Sequence, residues 1–125
     1  MIDFNSNSVF KLKPINERDM MSAIKLFLID GEMVLSAFQT IRDQVIFTNK
    51  RVIAANVQGI RGKKIDYTSI PYSKIQTYSV ETAGTFDRDC EIEIYISAVG
   101  KVRFEIQGNF DIVRFNKIIS NFVLN

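Results

Sequence analysis

Apolar residues recur along this chain at two different spacings, and the change from one to the other predicts where its elements lie. After Pro14, Met20, Ile24, Phe27 and Leu28 fall at helical spacing, with Asn16 placed to cap and Glu17 and Asp19 supplying negative charge in the first turn. Gly31 offers a stop, so the pattern predicts a helix from Glu17 to Ile29. From Glu32 the period becomes two. Residues 32–39, 44–48 and 51–57 are apolar, β-branched segments, and Thr48-Asn49-Lys50 supplies a tight turn between the second and third. Further strands are expected at about 64–70 and 74–82, with Pro71 bending the backbone between them. The alternation is sharpest in Cys90 to Ser97, where Cys90, Ile92, Ile94 and Ile96 point one way and Glu91, Glu93 and Tyr95 the other. Val102, Phe104 and Ile106 repeat it after a Val99-Gly100 turn. Asn109 then reads as an N-cap, and Ile112, Phe115, Ile118 or Ile119, and Phe122 form the apolar stripe of a terminal helix near residues 110–123.

Seven antiparallel strands that wet one face must cover the other. A mainly β fold, either a curved sheet or an open barrel plugged by the C-terminal helix, does so. No Pro-, Gly- or Ser-rich linker divides the chain, so the reading is an arm at 1–14 followed by one domain at 15–125. At 125 residues such a domain buries roughly two thirds of its unfolded surface and needs no staple. With one Cys, no His and no Trp, an intramolecular disulfide, His-ligated zinc, and Ser-His-Asp or Cys-His catalysis are excluded. No cofactor is expected. The net charge of +2 gives no bulk drive toward nucleic acid. The amino terminus lacks the basic and apolar regions of a secretory signal. The most apolar stretch, Met20 to Ile29, is interrupted by Lys25 and falls short of the roughly 20 residues that cross a bilayer. A soluble, cytoplasmic protein follows as the expectation, with peripheral attachment to a membrane as the variant.

Two segments carry a family resemblance. Val45-Ile46-Phe47-Thr48-Asn49-Lys50-Arg51-Val52-Ile53 resembles the "FTNKR" hairpin of bacterial pleckstrin-homology-like (PH-like) domains. Ser69-Ile70-Pro71-Tyr72-Ser73-Lys74-Ile75, followed by Ser79-Val80-Glu81-Thr82-Ala83-Gly84, resembles the "IPYSKI…SVETAG" region of the same family. The similarity covers about residues 17–125, and the order of seven strands and one helix agrees with it. The resemblance implies a PH-like split barrel, no enzyme activity and, for some members, rings of identical subunits; it implies no agreed common ligand. Eukaryotic relatives that bind phosphoinositides gather Lys and Arg around the first strand-to-strand loop. The corresponding Phe38 to Asp43 offers only Arg42, so that function does not carry over residue by residue.

The dense basic set is Lys50, Arg51, Arg61, Lys63 and Lys64, with no Asp or Glu between Gln44 and Ile65. If a hairpin and the following loop bring these groups to one edge, they form a site for phosphate or an acidic partner; alternatively they are a solvated edge that resists aggregation. Gly59-Ile60-Arg61-Gly62 matches the GxxG of KH domains but lies between strands, where that fold needs helices. The acidic set is Glu81, Asp87, Asp89, Glu91 and Glu93, which lacks EF-hand spacing and reads as a solvated face or as the acidic edge of a subunit contact. Cys90 is expected in the core with a raised pKa, and Ser69, Ser73 and Thr77 have no His to activate them. Two functions stay open. One is a self-assembling, non-enzymatic module presenting a protein- or peptide-binding surface. The other is a peripheral adaptor that reads anionic lipid through the basic set.

Overall fold

The computed structural model describes residues 11–82 and 89–125. Two antiparallel sheets face each other. The larger contains β1 (Lys13–Ile15), β2 (Val34–Gln39), β3 (Gln44–Thr48), β4 (Arg51–Gln58) and β5 (Lys64–Pro71), paired in that order. The smaller contains β6 (Thr77–Thr82), β7 (Cys90–Ile96) and β8 (Gly100–Ile106). A short helix, α1 (Ser22–Phe27), lies between β1 and β2, and α2 (Ile112–Val123) closes the chain. The seven expected strands and the terminal helix are all present. The eighth strand, β1, spans residue 14, where the sequence reading ends its arm, and a parallel bridge from Leu12 to Ile106 ties this segment to the smaller sheet.

The main core fills the space between the sheets, and α2 plugs it. Phe47 sits at its centre, edge-on to Phe38 and Phe104 at 5.8 Å and to Phe115 of α2 at 4.8 Å. A second, smaller core lies on the other side of the larger sheet. There Met20 and Ile24 pack with Ala37, Ile46, Ile53 and Ala55. The middle of this sheet is thus buried on both faces, which is why Val45, Ile46 and Phe47 are apolar without interruption. The smaller sheet keeps the clean alternation that its sequence predicts.

Boundaries differ from the sequence reading: the strand expected from residue 32 begins at Val34, and three other differences have a visible cause. The helix expected over residues 17–29 is instead a 3-10 turn at Glu17–Asp19 and α1 at Ser22–Phe27, with Met20 and Met21 extended between them. The buried side chain of Gln44 explains the break: its Oε1 accepts from Met21 N–H at 2.8 Å and its Nε2 donates to the Asp19 carbonyl at 2.9 Å, taking groups a continuous helix would pair internally. Asn16 makes no side-chain cap. The strand expected from 74 begins at Thr77, because Tyr72–Lys74 forms a 3-10 turn that buries Tyr72 and lets its hydroxyl donate to the Thr48 carbonyl at 2.6 Å. The cap of α2 is Asp111, whose carboxylate accepts from Arg114 N–H at 3.0 Å, rather than Asn109.

Phe115 is 4% exposed and joins α2 to β2 and β3 of the larger sheet through its ring contacts with Phe38 and Phe47. Phe115→Ala is expected to cost about 3–5 kcal/mol. Urea unfolding checks this, and an unchanged midpoint would contradict the plugging role of α2.

Candidate functional site

The structure does not gather the predicted basic set at one edge. Lys50 and Arg51 stand where β4 begins, whereas Arg61 and Lys63 lie in the loop after it and Lys64 opens β5 opposite Gln58. The full length of β4, roughly 23 Å at strand rise, separates the two groups. The site reading needs the hairpin and the following loop at one edge, and β4 is long enough to place them at opposite ends of the sheet.

Arg51 is also committed. Its Nε donates to Glu32 Oε2 at 2.9 Å and its Nη2 to Glu32 Oε1 at 3.0 Å, a two-pronged ion pair. The remaining donors reach Ser69 Oγ and the Phe27 carbonyl. Thr48 Oγ1 donates to the same carboxylate at 2.7 Å. One buried polar knot thus joins the end of α1, the β3–β4 turn and β5. Burial pushes the Glu32 carboxyl up, but the hydrogen bonds from Arg51, Thr48 and the Ile29 N–H, with the charge of Arg51, outweigh it and hold it below the usual range. The same burial and the Glu32 charge push Tyr72 up. These are features of a structural clasp, not of a ligand site.

The other three cations lie at the loop end of the sheet, beside the β2–β3 turn that carries Arg42. The Arg42 guanidinium donates to the Gly59 carbonyl, holding the β2–β3 turn beside the β4–β5 loop. Gly62, at φ +65°, permits this approach: a Cβ there would lie 3.2 Å from Val57 Cγ1 and 3.6 Å from Arg42 Nη2. At the tips, Ile41 and Ile60 project wholly into solvent. Arg42, Arg61, Lys63 and Lys64 are exposed around them, while Asp43 turns inward to accept from Val57 N–H and Asn56 Nδ2. The signal in the sequence is Ile-Arg at the crest of two alternate turns, an apolar side chain where turns are ordinarily polar.

The acidic set divides as well. Asp87 lies outside the described residues. Glu91 pairs with Arg103 at 2.9 Å, and Glu93 lies 3.7 Å from Arg103 and 3.9 Å from Lys101, so both are neutralised on their own sheet. Glu81 faces Glu91, and Glu91 faces Glu105, making a row of carboxylates across β6, β7 and β8. Asp89 accepts from Gly108 N–H at 2.6 Å. Among the described residues no group of acidic or thiol ligands is arranged to hold a metal. Cys90 is buried as expected; desolvation, with the charge of Asp89, pushes its thiol up to about 11.

The sequence pattern described as "Bacterial PH domain" matches residues 3–123. The chain belongs to the bacterial PH domain family. A DUF1696 family protein with a pleckstrin-homology domain from Shewanella loihica PV-4 is 37% identical, with a TM-score of 0.74 over 90% of this chain and 97% of that one. A pleckstrin homology domain from Shewanella amazonensis SB2B is 38% identical, with a TM-score of 0.59 over 83% of this chain and 85% of that one. Two Bacillus subtilis proteins named only as uncharacterized are also similar. YjqA is 53% identical over 70 residues, 56% of each chain, and YozO is 33% identical over 66 residues, 53% of this chain and 57% of its own. The matched segments span just over half the length of these curated relatives.

The Glu32 clasp predicts an acid-sensitive component of stability. Because folding lowers the Glu32 pKa, its contribution is present above the ordinary carboxylate range and disappears as pH falls through the folded value. Glu32→Gln leaves Arg51 largely buried without its counter-ion and is expected to cost about 2–3 kcal/mol at neutral pH. It should also flatten the acid limb of a plot of unfolding free energy against pH. An acid limb unaltered by the substitution would assign that sensitivity to other carboxylates.

Proposed function

We propose that the chain is a non-enzymatic interaction module whose twin loops dock on an anionic membrane surface. The observation that carries this reading is the pair Ile41 and Ile60, wholly exposed on adjacent loops and surrounded by Arg42, Arg61, Lys63 and Lys64. Exposed aliphatic tips ringed by cations suit the boundary between headgroups and acyl chains: the isoleucines enter it, and the cations remain among the phosphates. Each Lys or Arg near an anionic leaflet contributes on the order of 1 kcal/mol, and salt screens this attraction. Of the original basic set, Arg61, Lys63 and Lys64 belong to this surface and Lys50 and Arg51 do not. Among the described residues no pocket lined by Arg42, Arg61, Lys63 or Lys64 accompanies the loops, so the reading is weak attachment without selectivity among headgroups. No helix among the described residues is long and apolar enough to cross a membrane.

Sedimentation with vesicles of phosphatidylserine and phosphatidylcholine tests it. Binding is expected to fall as salt rises, and to fall with Lys63→Glu plus Lys64→Glu or, separately, with Ile41→Ser plus Ile60→Ser. Tight binding to one phosphoinositide that survives the lysine substitutions would overturn the proposal.

Self-association is the second reading, favoured by a different surface. Leu26, Phe27, Ile29 and Met33 are all exposed in the segment that leaves α1 for β2. Apolar residues this concentrated suit a contact between copies of the chain, and an assembly larger than a dimer is the form expected from the family resemblance. Light scattering after size-exclusion chromatography checks it. The expected result is an oligomer that Leu26→Lys plus Met33→Lys reduces to monomer, and a strictly monomeric mass at high concentration and low salt would dismiss it.

A further inference from the structure

We propose that the open edge of β6 is a docking site for an extended basic peptide, which joins the smaller sheet as a fourth strand. The two edges of that sheet differ. On the β8 side, Leu12 N–H donates to the Glu105 carbonyl at 2.7 Å and Gln107 N–H to the Leu12 carbonyl at 2.8 Å, so the preceding chain already occupies part of the edge. On the β6 side, among the described residues, no main-chain partner lies beyond Thr77–Thr82. A six-residue strand therefore presents unpaired N–H and C=O groups to whatever chain approaches.

Side chains on the two sides of β6 define that chain. Toward the core, Tyr78 and Val80 are only half-buried. The last turns of α2 lie alongside, fixed by Tyr78 Oη to Ser120 Oγ at 2.8 Å, and they leave Phe122 and Val123 half-covered and Leu124 73% exposed. An added strand would direct every second side chain onto this apolar strip, which selects an alternating sequence. On the opposite face, Glu81 is exposed and heads the row Glu81, Glu91, Glu105. With Asp89 these carboxylates line a hollow of about 250 Å³ in which no lining residue among the described ones is Lys or Arg. Arg103 reaches Glu91 from the neighbouring row, but among the described residues no cation pairs with Glu81 or Glu105. A Lys or Arg on the outer face of the incoming strand, beside Glu81, meets that charge. The other long edge, β5, carries Lys64 and Asp66 two residues apart and lacks a row of carboxylates like that headed by Glu81.

The test uses the full chain and a capped heptapeptide in which Val alternates with Lys and Thr, together with a twin carrying Glu in place of Lys. Titration followed by backbone amide NMR should shift signals of β6, Tyr78, Val80 and Leu124, and hydrogen exchange should slow at the β6 amides that face away from β7. The basic peptide should bind about tenfold more tightly than its twin, and Glu81→Lys should reverse that order. N-methylation at alternate peptide residues should abolish binding, because it removes the main-chain donors while leaving the side chains. Shifts confined to the Ile41 and Ile60 loops, equal affinity for the N-methylated peptide, or no binding of either peptide at about 1 mM would overturn the proposal. So would peptide-independent protection of β6 by a second copy of the chain.

Discussion

Phe47 is the point through which the two sheets and the terminal helix are fixed to one another. Its ring meets Phe38 from β2, Phe104 from β8 and Phe115 from α2, always edge to face. Each contact constrains a different element, so the angle between the sheets and the seat of α2 are set together rather than separately. The seat of α2 in turn determines how far its last turns lie from β6, and hence how much of Tyr78 and Val80 remains uncovered. The stacked pair Tyr72 and Phe122, with ring centroids 5.6 Å apart, anchors the far end of the same helix.

Strand alternation was readable where one sheet face is wet and unreadable where both are dry. In β7 and β8 the sequence alone separates inward Cys90, Ile92, Ile94 and Ile96 from outward Glu91, Glu93 and Tyr95. In β3 it does not, because Ile46 faces a second core beneath α1 while Val45 and Phe47 face the first. The shortening of the first helix was hidden for a related reason. Gln44 belongs to a strand 25 residues from Asp19, and nothing local announces that its amide will take the helix's main-chain groups.

The charged residues divide by partner rather than by position in the sequence. Lys50 and Arg51 are adjacent, yet Lys50 is exposed and Arg51 holds a buried carboxylate. That carboxylate, Glu32, lies 19 residues away and reads in isolation as an ordinary polar start to a strand. The loop end of the larger sheet is visible in the sequence as basic residues but not as a joint surface, since the bonds from Arg42 to the Gly59 carbonyl and from Val57 N–H to Asp43, which set the two turns side by side, join residues far apart in the chain.

Burial of Cys90 has a consequence for how any of these surfaces is controlled. The chain has no His, and a thiol raised to about 11 stays neutral throughout the range in which cells vary their pH. The described charged groups at both sheet ends are Lys, Arg, Asp and Glu. Binding through the loops or the β6 edge, as proposed, would then answer to ionic strength, which screens all four kinds of side chain alike.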